Sequence, residues 1–286
     1  MKLNTKRTVL VGFAFLSICA FWQMYDNVIP LILKNTFHLG ETWTGVVMAM
    51  DNVLALMLLP LFGMLSDKLR TPLGRRTPFI LVGTVLAVIC MILLPVTDNA
   101  GSLTGFFIAL GAVLLSMGFY RSPAVALMPD LTPKPLRSKG NAIINLMGAL
   151  GGIIYLIITT FLYKTTADVY VSYLPLFAIV GGIMLAALAV VMFCVDEPKL
   201  VAEQKRYEDA HPEDNLTQVT ENGETLPKDV KRSLGFLLAS IALWFIGYNG
   251  VTTWFSVYAG RTWHMTLAQA NTCLTIATAG AILSYI

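Results

Sequence analysis

Residues 63–78 read GMLSDKLRTPLGRRTP and sit between two long apolar runs. Asp67, Lys68, Arg70, Arg75 and Arg76 crowd into this link, together with a Pro and a Gly. A link this short makes the flanking segments antiparallel neighbours, and its charges hold that end of the pair in water. The flanking runs are continuous rather than alternating, so they read as helices and not as strands. Composition agrees: hydrophobic residues make up 56% and charged residues 13%, with mean hydropathy +0.69. A soluble domain carries about 25% charged residues. Backbone polar groups in hydrocarbon must be satisfied within the protein, which leaves helices or a closed barrel, and the unbroken runs select helices. The fold class is an all-α membrane protein.

Apolar runs predict spans at about residues 9–33, 42–65, 79–96, 103–128, 138–163, 172–195 and 233–259, with an eighth starting near 266. The first run is too long for a signal-peptide core and lacks a small-residue cleavage site, so it reads as a retained helix. Of the 20 Lys and Arg residues, all but Lys34, Arg121, Lys164 and Arg261 lie in the N-terminus or in the 2–3, 4–5 and 6–7 links. That asymmetry puts the N-terminus and these links in the cytoplasm. The expected organisation is a six-helix bundle over residues 1–195, a cytoplasmic linker over 196–232, and two helices of a second, incomplete bundle over 233–286. The chain ends inside an apolar run and is expected to be a fragment or a truncated product.

The linker contains DEPK, EDAHPEDN and ENGE and is read as flexible, with room for a short amphipathic piece. Asn215-Leu216-Thr217 fits a glycosylation sequon, discounted on a cytoplasmic loop. Cys19, Cys90, Cys194 and Cys273 all lie in apolar segments with no metal or disulfide spacing, and read as packing residues. No metal site or cofactor is expected. The net charge of +3 comes from cations at span ends, so nucleic acid is not an expected partner. No GxxxxGK[ST], HExxH or GxSxG motif is present, which leaves ATP-driven transport and membrane hydrolysis without support; the chain is not expected to be an enzyme.

Polar residues inside spans are costly and mark function or pairing. Helix 1 carries Trp22, Gln23, Tyr25, Asp26 and Asn27 within six residues. Aromatic rings stack on the apolar faces of a sugar while amides and a carboxylate bond its hydroxyls; an interfacial aromatic belt is the plainer alternative. Helix 2 carries Asp51 and Asn52, and helix 4 carries Arg121 about two turns from Asp130. At about 1.5 Å per residue, Asp26 and Asp51 fall outward of Arg121 by more than one side chain's reach. Gly148 and Gly152 have the GxxxG spacing of close helix packing. In the seventh span, Gly247-Tyr248-Asn249-Gly250 reads as a helix break that exposes carbonyls to a cavity, with Trp254 one turn on.

The pattern Gly63-x-x-x-Asp67, six residues, then Gly74-Arg75-Arg76-x-Pro78 resembles the loop between helices 2 and 3 of the major facilitator superfamily. Its six-residue spacer resembles the sucrose-transporter-like and glycoside–cation symporter branch, as does GYNGVTTWFSVYA in helix 7. The resemblance implies the major facilitator superfamily fold of two pseudo-symmetric six-helix halves, of which the chain holds the first and the start of the second. It implies proton-coupled symport of a sugar or glycoside by alternating access, a monomer at full length, and a multi-pass protein of the plasma membrane, such as a bacterial inner membrane. The alternatives are a facilitator for another small organic solute and a non-transporting receptor or fragment. Gly63, Asp67, Gly74, Arg75, Arg76, Asp130 and Arg137 become a cytoplasmic gate. In the melibiose-permease branch, acids at the positions of Ala55 and Leu59 bind sodium. Both are absent here, so a proton is the expected coupling ion and Na+ the less favoured one. Arg121 stands where that branch has an acidic sugar contact. Its cavity placement carries over, and a proton taken up by Asp26, or by Asp51, would free it for sugar hydroxyls.

Overall fold

The computed structural model describes residues 3–163, 171–210 and 228–284. The described residues form α1 (Thr5–Asn35), α2 (Glu41–Lys68), α3 (Thr77–Asn99), α4 (Leu103–Leu131), α5 (Arg137–Leu162), α6 (Leu174–Cys194), α7 (Glu197–Ala210), α8 (Lys228–Trp263) and α9 (Leu267–Ser284). Among them, α1 to α6 and α8 are long and apolar enough to cross a membrane, and α9 opens where the eighth span is expected. The chain is thus a multi-pass, all-α membrane protein. Asn215 and the end of the chain fall outside the described residues.

Helix ends run past the apolar runs because polar residues finish them. The Asn4 side chain accepts the Arg7 N–H at 3.1 Å, and Ser102 Oγ accepts the Gly105 N–H at 3.3 Å. Each satisfies one of the N–H groups a helix start leaves open. The short piece for which the linker leaves room is the fourteen-residue α7, and α8 begins at Lys228, inside the expected linker. The Gly-Tyr-Asn-Gly break is corrected: α8 is continuous through residues 247–250. A glycine in a helix costs only about 1 kcal/mol, less than leaving backbone groups unpaired in hydrocarbon.

In the first bundle α1 packs on α5 and α6, α3 on α4 and α6, and α2 on α4. The α1–α5 seam is made by glycines, as the GxxxG spacing implies, though its tightest point is Gly151. A Cβ there would stand 2.1 Å from the Leu16 carbonyl oxygen, and one on Gly148 would stand 2.8 Å from Cys19 Sγ. Apolar surface gains nothing by leaving lipid, so this backbone approach is what joins the helices. A buried polar strut crosses the bundle. Tyr120 donates its hydroxyl to the Ala14 carbonyl at 2.8 Å and meets the Ser17 hydroxyl.

Among the described residues, the later helices are buried against the first bundle towards the end remote from the basic links. Ser256, Val257, Leu267, Ala268 and Asn271 are buried there, while α8 is exposed from residue 229 to 251. The Ala268 N–H donates to the Tyr163 carbonyl at 3.1 Å, and Arg261 pairs with Glu41.

Candidate functional site

Three consecutive residues of α4 point three ways. Tyr120 reaches α1 through the strut, and Ser122 donates to the Leu59 carbonyl of α2 at 2.8 Å. These anchors fix the rotation of α4, so Arg121 faces a crevice between α1, α2 and α4. The crevice is lined by Trp22, Asp51, Ala55, Leu59, Gly118 and Arg121, with three leucines. Arg121 Cζ stands 5.5 Å from the centre of the Trp22 ring, a cation–π distance. At about 20 Å³ the crevice has room for one water, not for a sugar, in this conformation. A larger hollow of about 460 Å³ opens between α2 and α4 nearer the remote end. Its lining is apolar apart from the Trp43 indole, so it offers a polyol almost nothing to bond.

Asp51 and Arg121 line the same crevice, while Asp26 does not. Ala55 and Leu59 also face it, so the two positions occupied by acids in the melibiose branch are lining positions that carry no oxygen here. The polar patch of α1 is divided. Trp22 reaches the crevice, and Tyr25 packs edge-on against it with ring centres 5.2 Å apart. Gln23 faces α5, with Oε1 3.6 Å from where a Gly152 Cβ would be. Asn27 is fully buried and donates to the Gln23 carbonyl at 2.7 Å. Asp26 stands one turn beyond Trp22 and does not line the crevice. Asn52 is exposed on α2 and donates to Asp51 Oδ1 at 2.7 Å. Tyr248 and Asn249 are not brought to the crevice: both are exposed, and Tyr248 stacks on Trp244 at 5.3 Å. Trp254 lies beside Gly45 of α2. Asp98, placed outside the spans by its sequence, is the penultimate residue of α3 and only 1% exposed.

At the basic end the gate residues form a network around Arg76, whose side chain is 7% exposed. It pairs with Asp67, donates Nε to Asp130 at 2.9 Å, and bonds Ser66 Oγ and the Gly63 carbonyl. Arg75 approaches Asp130 at 3.8 Å. Arg137 is not part of it: it donates to the Thr132 carbonyl at 3.2 Å.

Sequence reasoning missed Glu197. Buried to 1% exposure, it accepts the N–H groups of Arg75, Arg76 and Thr77 at 2.8 to 3.0 Å and the Thr77 hydroxyl at 2.8 Å. These donors open α3, where a carboxylate is favoured by the helix dipole. Gly74 sits at φ +110°, and a Cβ there would lie 2.2 Å from Glu197 Oε2, so both backbone and carboxylate require glycine. Asp196 caps α7 through the Lys199 N–H at 3.2 Å, and its bonds to Lys199 hold its carboxyl below the usual range. Arg7 ties α7 to the bundle, donating to the Leu131 carbonyl at 2.7 Å and pairing with Glu203 at 3.5 Å.

Asp67→Asn keeps the size of the side chain and removes its charge. Asp67 is half-exposed and Asp130 remains on Arg76, so the stability loss is expected to stay below about 1 kcal/mol. Transport by the intact protein is expected to slow much more and its population to shift towards inward-facing states. Unchanged flux with unchanged accessibility of introduced cysteines at the basic end rules out a gating role.

A bundle of six membrane-length helices with a glycine-arginine charge network at the α2–α3 turn defines a polytopic membrane protein. Residues 11–286 match the sequence profile of the Major Facilitator Superfamily, and the chain belongs to that family. It is 27% identical over 152 residues to sucrose transport protein SUC3 of Arabidopsis thaliana, covering 46% of this chain and 25% of that protein. It is 28% identical over 152 residues to sucrose transport protein SUT3 of Oryza sativa subsp. indica, covering 46% and 30%. It is also 27% identical over 185 residues to the ectoine/proline transporter ProP of Corynebacterium glutamicum, covering 63% and 35%. The chain thus spans well under two thirds of the length of these relatives.

Proposed function

We propose that the protein is a secondary active transporter that carries a sugar or glycoside together with protons by alternating access. The observation that carries this reading is Arg121 on the Trp22 ring in one intramembrane crevice with Asp51. An aromatic face, a guanidinium and a carboxylate supply the contacts a polyol uses. The bare Ala55 and Leu59 positions favour protons over sodium, since a hard cation needs several oxygens together. Asp26 is the proton carrier in this reading and Asp51 the acid that faces Arg121. The 1–195 bundle, the 196–232 linker and the two following helices belong to a two-bundle monomer in the plasma membrane. Its N-terminus is cytoplasmic by the distribution of Lys and Arg. Bundles that touch at the remote end and part at the basic end fit a conformation open to the cytoplasm.

A second reading keeps the architecture and changes the cargo to a zwitterion such as an amino acid. Arg121 would hold a carboxylate and Asp51 an ammonium group, and the similarity to an ectoine/proline transporter favours it. Counterflow in vesicles holding the intact protein separates the two. Labelled sucrose exchanging against unlabelled sucrose, with proline inert, supports the first. Exchange of proline alone replaces it with the second, and exchange of neither removes transport of both solute classes.

A further inference from the structure

The register of α1 against α5 places an unused group beside Asp26. The two helices run parallel, and the close approaches pair Leu16 with Gly151, Cys19 with Gly148 and Gln23 with Gly152. One turn beyond the last pair, the same faces bring Asp26 level with Tyr155, whose hydroxyl lies within electrostatic range of that carboxylate. Tyr155 is fully buried, and its hydroxyl faces the Thr159 side chain without a well-formed hydrogen bond. A buried hydroxyl without a well-formed bond costs free energy, so a site that keeps one normally supplies water or a transient partner.

Tyr155 is also the inner member of a stripe. Tyr155, Thr159 and Tyr163 recur every fourth residue and share one face of α5 up to its remote end. Thr159 is fully buried, and Tyr163 packs its ring 5.4 Å from that of Tyr173. The Tyr163 hydroxyl donates to the carbonyl of Ser172 at 2.9 Å, and Ser172 is exposed. Hydroxyl groups therefore line the α5 face from an exposed residue at the remote end to the neighbourhood of Asp26.

We propose that this hydroxyl stripe is the proton access route from the remote face of the membrane to Asp26, with Tyr155 as the last donor. The inference rests on the proton-coupled reading above. Each hop is balanced: the Tyr155 O–H proton passes to the Asp26 carboxylate as Tyr155 takes one from a water on its Thr159 side. That water is replenished from hydronium at the remote face. Tyr155 is neutral before and after, and one proton has moved. The titratable groups in electrostatic range of Asp26 are Tyr25 on α1, Asp51 on α2 and Tyr155 on α5, with Tyr163 and Tyr173 beyond Tyr155; Arg121 on α4 stands over Trp22, one turn of α1 away. Ser256 of α8 and Asn271 of α9, buried in the helices that pack on α1 and α5, do not titrate.

The test uses the intact protein in vesicles, with labelled sucrose as probe. Tyr155→Phe removes only this hydroxyl, so folding is expected to be unchanged by circular dichroism. Accumulation driven by an acidic remote side is expected to fall about tenfold, with counterflow at equal pH nearly unchanged. Asp26→Asn is expected to abolish accumulation. A substrate-free measurement runs beside it: after an acid step, the infrared carboxyl band that Asp26→Asn deletes should rise about tenfold more slowly in Tyr155→Phe. Wild-type accumulation and band kinetics in Tyr155→Phe, with accumulation lost in Asp26→Asn, overturn the route and leave the coupling reading standing. Full accumulation in both variants overturns the route and the coupling reading together.

Discussion

Arg76→Ala is expected to destabilise the protein by about 2 kcal/mol, less than the cost of breaking a fully buried ion pair because Asp67 and Asp130 keep access to water. The side chain is 7% exposed and serves two carboxylates, a hydroxyl and a backbone carbonyl at once. Without it, Asp130 keeps only the more distant Arg75, at 3.8 Å, and Asp67 keeps no partner within the network. The loss should appear in unfolding of the purified protein in detergent. Arg76→Lys keeps the charge but lacks the planar fork that reaches several acceptors, so it should fall between wild type and Ala. Adding Asp130→Ala to Arg76→Ala should recover part of the loss, because the uncompensated carboxylate is then gone. A loss below 1 kcal/mol for Arg76→Ala would mean that water, not Arg76, satisfies this cluster.

The same cluster shows what a sequence can and cannot disclose. The spans were legible because hydrocarbon demands an unbroken apolar run of about 20 residues. Gly74 and Arg76 were legible because the turn between two antiparallel helices is local. Glu197 was not, since its bonds to Arg75, Arg76 and Thr77 span more than a hundred residues of chain. The one available sign was an acid followed by Pro198 immediately after the sixth span, at the start of what proved to be a helix. The break in the seventh span failed because turn-forming residues yield to the backbone ladder once the surroundings are apolar. That Asp51 and Arg121 line one crevice was not legible, because which faces of α2 and α4 meet is set by packing between distant segments. The split of the α1 patch among three neighbours also needed packing. Composition assigned Trp22, Gln23, Tyr25 and Asn27 to one surface, whereas their angular positions send them to the crevice, to α5 and to the core.

Asp26→Asn is expected to give a transporter that still exchanges labelled sucrose but does not accumulate it against a gradient when driven by pH. Amide and carboxyl are nearly equal in size, so the change removes the titrating group and leaves the packing. Asp51→Asn is expected to act differently. Asp51 shares its crevice with Arg121 and already accepts from the Asn52 N–H and side chain at 2.6 and 2.7 Å. Its loss should weaken sugar exchange itself, because it removes the carboxylate from the crevice that holds Arg121 and Trp22. The proposed mechanism is competition between Asp51 and sugar hydroxyls for Arg121, with Asp26, outside the crevice, taking up the proton; proton and sugar then bind cooperatively and each raises the other's affinity equally. Measured sugar affinity should therefore rise as the remote side is acidified in wild type and become independent of pH in the variant that carries the coupling acid. If both variants still accumulate sugar, neither Asp26 nor Asp51 couples, and Asp98, buried at the remote end of α3, becomes the next carboxylate to replace.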